Sequence, residues 1–489
     1  MQIVFATSEV APIAQTGGLG DVCESLPKAL HKLGHDVVIF MPFYRQARNY
    51  FATAGGIEQV IGPQPLSWAN WTYEMSVYEA RLPDSEVRLL LVANPFFFDR
   101  DSIYSFDPAG RDDGVERYTF FCRAVIRACE LLGLQPDILH AHDWHTALLP
   151  LYLDSGLRYQ PNFRSTASVY TIHNLNYQGI GTASQFAALG LTDRYWNWWA
   201  LEHWGQLNLM KGGILFADEV TTVSPTYAGE IQTPLLGAGL DGILRARSTA
   251  FTGILNGIDE DEWNPATDGH LTTHFSAEHI GGKLAARRAL AQEAGFIFKT
   301  KVPVVGIVSR LVEQKGFDLL LPVLRHLLDA GARMVILGSG EPDLEAGFEE
   351  IGRERPDECR VWTGFQIPLA HKIIAGADMM LMPSRYEPCG LNQMYALRYG
   401  TLPIVRLTGG LADTVIAFDG TNLASANGFG FFDTTSRDLY LAAWTALLTF
   451  RDGNVWKALQ KNGMLVDFSW HASARRYEDI YRRAQATRA

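Results

Sequence analysis

The apolar run Ile3-Val4-Phe5-Ala6 is followed by Ala14-Gln15-Thr16-Gly17-Gly18-Leu19-Gly20-Asp21 and then by a helix-like segment, Val22 to Leu33. This order places a glycine turn where a strand hands over to a helix. Glycine lets backbone approach a ligand closely, and the free amides at a helix start favour an anion such as a phosphate. The spacing is Gly-Gly-x-Gly, not the G-x-G-x-x-G of a dinucleotide fold, which weakens a nicotinamide reading. Without a ligand, the same turn is an ordinary strand-to-helix bend of an α/β protein.

Outward from this turn, short β-branched runs alternate with longer helix-like segments, the pattern of parallel sheets covered on both faces by helices. The first series is Ile3-Ala6, Val37-Phe40, Val87-Val92, Ile138-Ala141, Val169-Ile172 and Val220-Val223. The second is Thr252-Leu255, Val304-Val308, Met334-Leu337, Cys359-Trp362, Met379-Met382 and Leu402-Val405. At 489 residues the chain exceeds what one core organises, so two doubly wound domains are expected, joined by a short hinge near Ala250 with the ligand in the cleft between them. The segment Asn94 to Arg117, with Pro95, Pro108 and Gly110, reads as a long loop.

A net charge of −11, with 47% hydrophobic and 19% charged residues, argues for a compact globular protein and against nucleic-acid or anionic-membrane binding. Five scattered cysteines, without CxxC spacing, suit reduced thiols in the cytoplasm rather than disulfides or structural zinc. The N-terminus has neither a basic leader nor a long apolar run, so no export signal or membrane span is expected.

Polar clusters sit at the ends of several predicted strands. The first is His140-Ala141-His142-Asp143-Trp144-His145 and the next His173-Asn174-Leu175-Asn176-Tyr177. His140 and His142 share a strand face, which admits zinc. Acceptors and donors mixed with aromatic faces suit a sugar better, and Asp143, His173, Trp144 and Tyr177 supply that mixture. In the second half Arg310 and Lys315 follow a strand five residues apart, a pair fit to bind a diphosphate in place of a metal or to stand as solvated surface charges. Pro383-Ser384-Arg385-Tyr386-Glu387-Pro388-Cys389-Gly390-Leu391 sets a carboxylate beside a helix start, and Thr408-Gly409-Gly410-Leu411 opens another helix with a second glycine turn. Glu387 suits sugar hydroxyls or a cationic anomeric carbon, or serves as a first-turn helix acid. Asp99-Arg100-Asp101 resembles a metal-gripping pair, though exposed acids are usually just solvated. Gly338-Ser339-Gly340 after a strand would begin an oxidoreductase fingerprint, but Asp343 stands where the third glycine belongs.

Taken in order, QTGGLGDV (15–22), HAHDWH (140–145), TIHNLNYQG (171–179), VSRLVEQKG (308–316), PSRYEPCGL (383–391) and TGGLADTV (408–415) resemble the bacterial glycogen synthase and plant starch synthase family over nearly the whole chain. The stretches Ala217 to Tyr227 and Gly253 to Asp259 match it too. The resemblance implies an α/β GT-B fold, two Rossmann-like domains facing a central cleft. Residues 1–250 would hold the glucan acceptor, 251–466 the sugar nucleotide, and 467–489 would pack back on the first domain. It implies retaining transfer of glucose from ADP-glucose to the non-reducing 4-hydroxyl of an α-1,4-glucan such as glycogen, without a metal or cofactor.

Carried over residue by residue, Arg310 and Lys315 neutralise the departing diphosphate. Amides of Gly17, Gly18, Gly390 and Leu391, with the turn at Gly409 and Gly410, hold phosphate and sugar. Asp143, His173 and Asn256 contact the transferred glucose or the incoming hydroxyl, Glu387 sits near the sugar, and Phe365 stacks on the donor base. Trp196, Trp198, Trp199 and Trp204 are glucan contacts or, for most of them, core packing. Gln15 stands where the family's first motif begins with lysine. Loss of one charge-assisted contact costs about 1.5 to 3 kcal/mol of binding, which opens the alternative of UDP-glucose or another donor. A non-catalytic glucan-binding homologue is the other alternative.

Overall fold

The computed structural model describes residues 1–107, 109–364 and 366–488. The chain forms two compact units. The first comprises Met1–Val223, Ala228–Gly257 and Trp470–Ala489, the second Ser224–Tyr227 and Ile258–Ser469.

The first unit contains β1 (Gln2–Ala6), β2 (Asp36–Pro42), β3 (Glu58–Trp68), β4 (Trp71–Arg81), β5 (Arg88–Ala93), β6 (Ile138–His142), β7 (Ala167–Ile172), three short strands β8 (Ile180–Gly181), β9 (Glu202–His203) and β10 (Gln206–Asn208), then β11 (Glu219–Thr222) and β12 (Phe251–Gly253). Its main sheet runs β12-β11-β7-β6-β1-β2-β5-β4-β3. The strands from β12 to β5 are mutually parallel, and β4 and β3 extend the sheet as an antiparallel hairpin. β1 is buried on both faces, as a strand covered by helices must be. Strand order reverses between β1 and β6, which is where an open α/β sheet gathers ligand groups at its carboxyl ends.

Three expectations are corrected here. The strand at Thr252 opens no second series; β12 pairs in parallel with β11 and ends the first sheet. The hairpin β3-β4 went unread, because Pro63 and Pro65 disguise a strand that tolerates them only at a sheet edge. The segment 94–117 is not all loop: Pro95–Phe98 is one helical turn capped by the Asn94 side chain, and a helix runs over Gly114–Leu131.

The second unit carries β13 (Val304–Val308), β14 (Arg333–Leu337), β15 (Cys359–Trp362), β16 (Met379–Met382), β17 (Leu402–Arg406) and β18 (Phe429–Phe431). All six are parallel, in the order β15-β14-β13-β16-β17-β18. This is the 3-2-1-4-5-6 arrangement of the Rossmann fold, with its switch point between β13 and β16. Val305, Ile307, Met334, Ile336, Met379, Leu381 and Ile404 point into one apolar core with the covering helices. The five cysteines are buried and form no disulfide among the described residues, and no helix among them is long and apolar enough to cross a membrane.

Candidate functional site

In the second unit the switch point brings together what the sequence had placed 72 residues apart. β13 ends in Ser309, Arg310 and a 3-10 turn, Glu313–Lys315, closed by Gly316 at φ 71°. A Cβ on Gly316 would collide with the carbonyl of Pro383. Only glycine therefore lets the β13 loop lie against the β16 loop. That approach sets Lys315 Nζ 2.5 Å from Glu387 Oε2, and Ser384, itself buried, donates to the same oxygen at 3.0 Å. Ser384 was not singled out from sequence; its place three residues before Glu387 was the available signal.

Arg310 is exposed and has no side-chain partner among the described residues. Arg385, by contrast, is engaged by Asp318. The amides of Gly390, at φ 72°, and of Leu391 find no acceptor among the described residues. Beyond them Gln393 holds the turn by donating to the Cys389 and Gly390 carbonyls at 3.1 and 2.9 Å. Two exposed or half-exposed cations, a carboxylate and two free amides make a seat for an anion bonded to a polar ring.

The turn at Gly409 and Gly410 plays a packing role. A Cβ on Gly409, at φ 46°, would strike the Glu387 carbonyl, and one on Gly410 the Cys389 carbonyl. The Gly410 amide donates to Glu387 and Pro388 carbonyls at 3.2 and 3.3 Å. Gly409→Ala is accordingly expected to cost about 2 kcal/mol or more and to shift the Glu387 loop, lowering both the melting temperature and turnover; an unchanged melting curve would refute this. Gly338 and Gly340 have the same explanation. Their missing side chains admit the carbonyls of Ser309 and Leu311, and Leu311 N–H donates to Ser339 at 2.9 Å. They are packing glycines of the loop after β14, seated against the β13 loop, not a dinucleotide fingerprint.

In the first unit the glycine turn leads into the helix Gly18–Lys32. The Gly17 amide, expected at a phosphate, is already taken. Glu9, a buried carboxylate unnoticed in the sequence, accepts from Thr16 N–H at 2.6 Å, Thr16 Oγ1 at 2.9 Å, Gly17 N–H at 3.2 Å and the Tyr104 hydroxyl. Gly18 N–H remains without an acceptor among the described residues. Gln15 does not reach outward: its side chain lies against Gly20, where a Cβ would meet Gln15 Cβ at 2.7 Å, and its Oε1 is buried without a partner.

At the first unit's own switch point, between β1 and β6, Asp143 follows β6 at φ 54° and ψ −176°, a backbone region disfavoured for side-chain-bearing residues. Its Oδ1 accepts from the amide of His173 at 2.7 Å and, more weakly, from Asn174 at 3.4 Å. Burial pushes its carboxyl from the ordinary 3.8 up to about 7, against the pull of those two amides. His173 follows β7, and its Nε2 lies 3.0 Å from His142 Nδ1. His140 and His142 do not converge on a metal: His140 bonds Tyr481 at 2.9 Å and Thr171 at 2.6 Å. Asn256, beyond β12, is buried with Oδ1 unpartnered.

Trp144 is half-buried against Gly114 and Gly179 and edge-on to Tyr118, while Tyr177 is exposed. Trp198, Trp199 and Trp204 are also exposed, so core packing fails for three of the four tryptophans; Trp196 packs on Phe186. Asp99 and Asp101 pair with Arg45, and Arg48 joins Asp99 at 2.6 Å. Phe365 lies outside the described residues.

Comparison with known proteins covers both units. Residues 2–246 match the family described as starch synthase catalytic domain, and residues 291–442 match glycosyl transferases group 1. The chain is 43% identical to glycogen synthase 2 of Geobacter sulfurreducens over 488 residues, all of both chains, and 43% identical to glycogen synthase of Thermotoga maritima over 99% of each. The catalytic domain of starch synthase IV from Arabidopsis thaliana, solved bound to ADP and acarbose, superposes with a TM-score of 0.89 at 34% identity over 99% of both chains. Sucrose-phosphate synthase from Thermosynechococcus elongatus, at 19% identity and a TM-score of 0.61 over 99% of both chains, shares the fold.

Proposed function

This chain belongs to the starch and glycogen synthase family of glycosyltransferases, with the GT-B fold, and from that premise we propose that it moves glucose from ADP-glucose onto the non-reducing 4-hydroxyl of an α-1,4-glucan such as glycogen, with retention. The observation that carries the reading is the Lys315–Glu387 pair at the β13/β16 switch point, with the free Gly390 and Leu391 amides beside it. Lys315 and Arg310 take up charge as the diphosphate leaves, the role a metal fills elsewhere. Glu387 faces the sugar, as nucleophile or as the carboxylate that steadies same-face attack. Asp143, His173 and Asn256 orient the glucose or the incoming hydroxyl. In the first unit the amide of Gly18 is the donor the glycine turn leaves open to an anion, with Gly17 held in place by Glu9. Buried reduced cysteines fit a cytoplasmic enzyme.

The ADP in the Arabidopsis relative favours an adenine donor. Gln15 is the observation that favours the alternative, UDP-glucose, because it brings no charge to the turn and lies folded against Gly20. Incorporation of radiolabelled glucose into glycogen, run side by side with both donors on wild type and Gln15→Lys, tests the reading. Wild type is expected to prefer ADP-glucose, and Gln15→Lys to lower the donor KM about tenfold, the worth of one charge-assisted contact. Preference for UDP-glucose overturns the donor assignment. Glycogen binding without release of either nucleotide would mark a non-catalytic homologue.

A further inference from the structure

The buried histidines at the ends of β6 and β7 determine which ring nitrogen of His173 carries a proton. His142 is sealed from solvent, its ring stacked on Phe5 with centroids 5.1 Å apart and tilted against the His140 ring with centroids 4.1 Å apart. Its Nδ1 meets His173 Nε2 at 3.0 Å, and its Nε2 has no partner among the described residues. Burial keeps both rings neutral, holding His142 well below the ordinary histidine value and His173 down to about 3.

Two neutral rings meeting through these atoms share one proton along the contact, so one donates and the other accepts. Were His173 the donor, His142 would carry its own proton on Nε2, an N–H enclosed with nothing to accept it. With His142 the donor, what stays unpaired is a lone pair, and protein interiors tolerate an unmatched acceptor more readily than an orphaned N–H.

We propose that His142 is a positioning residue: it donates from Nδ1 to His173, so that His173 carries its proton on Nδ1 and meets its ligand as a hydrogen-bond donor. Nδ1 is the free edge of His173, with no partner among the described residues and no seal over it. The group it faces is therefore an acceptor. On the reading that His173 contacts the transferred glucose, that acceptor is a hydroxyl oxygen of the sugar. The second histidine of His140-Ala141-His142 thereby acts on the site through the first residue of the next motif.

Long-range proton–nitrogen correlation spectra of the full chain, with nitrogen-labelled histidine and His142→Asn and His173→Asn for assignment, read both tautomers in the ligand-free protein. Both rings are expected to be protonated on Nδ1. His173 protonated on Nε2 overturns the proposal, whatever the two-donor assay finds. Kinetics give a second readout in folded variants. His142→Phe keeps the packing on Phe5 but has no N–H, and is expected to lower donor kcat/KM about tenfold. His142→Asn places its Nδ2 where Nδ1 stood and is expected to recover to within about threefold of wild type. His142→Phe at the wild-type value, or His142→Asn no better than His142→Phe at equal melting temperature, overturns it as well.

Discussion

Lys315→Ala is expected to lower turnover about a hundredfold or more, the scale on which removal of one preorganised charge-stabilising donor acts. Lys315 has two duties that the substitution ends together. Its ammonium is the nearest cation to Glu387, at 2.5 Å, and in the proposed reaction it meets the diphosphate as negative charge builds there. Without it Glu387 keeps, among the described residues, only the Ser384 hydroxyl as a side-chain partner, at 3.0 Å. Lysine remains about a fifth exposed and glutamate about a tenth, so the stability loss stays below the 3–5 kcal/mol of breaking a fully buried pair. Arg310→Ala separates the two duties. Arg310 is exposed and holds nothing among the described residues, so its loss is expected to cut turnover at least tenfold at constant melting temperature. Steady-state kinetics with ADP-glucose and glycogen, beside thermal melts, check both. Near-normal turnover in Lys315→Ala and Arg310→Ala alike would move the diphosphate elsewhere.

These residues were legible because they stand at the carboxyl ends of parallel strands, and local sequence marks such ends plainly: an apolar β run, then a polar loop, then a helix. β13 and β16 were read that way, with Arg310, Lys315 and Glu387 each in the loop after its strand. What one-dimensional pattern cannot carry is which loop folds onto which. Gly409 looked like a ligand-facing glycine, and Gly316 was only the last letter of a motif. The reason for each is a neighbouring carbonyl, Pro383 for Gly316 and Glu387 for Gly409, brought there only by strand order. Glu9 escaped notice for the same reason. It lies beyond the end of β1 with no motif around it, and becomes significant only when the chain doubles back and offers it the Thr16 and Gly17 amides. β3 was hidden by two prolines that an edge strand accommodates. The exposed tryptophans went against an average: large aromatic residues usually pack inward, and nothing within 196–204 reveals that this loop and its short strands leave three of them outside.

Asp143→Asn is expected to make the enzyme more stable at neutral and alkaline pH while lowering its turnover at least tenfold. The carboxyl of Asp143 ionises near 7 in the folded chain, raised by burial from the ordinary 3.8. Below pH 4 both folded and unfolded chains hold this proton, and the residue contributes no pH dependence. Between pH 4 and 7 the unfolded chain releases it and the folded chain does not, so folding loses stability as pH rises. Above 7 both have released it and the penalty is complete, about 4 kcal/mol for a carboxyl raised from 3.8 to about 7. Asparagine cannot titrate, yet its Oδ1 still accepts from the His173 and Asn174 amides, and it tolerates positive φ as well as aspartate does. The comparison therefore isolates the charge. Urea unfolding of both proteins from pH 4 to 8 should show the variant gaining steadily on wild type, by up to about 4 kcal/mol; parallel curves would mean that Asp143 ionises normally. A carboxylate kept at this cost, on a strained backbone one β-strand from the glycine turn, supports the proposal that the charge serves the reaction rather than the fold.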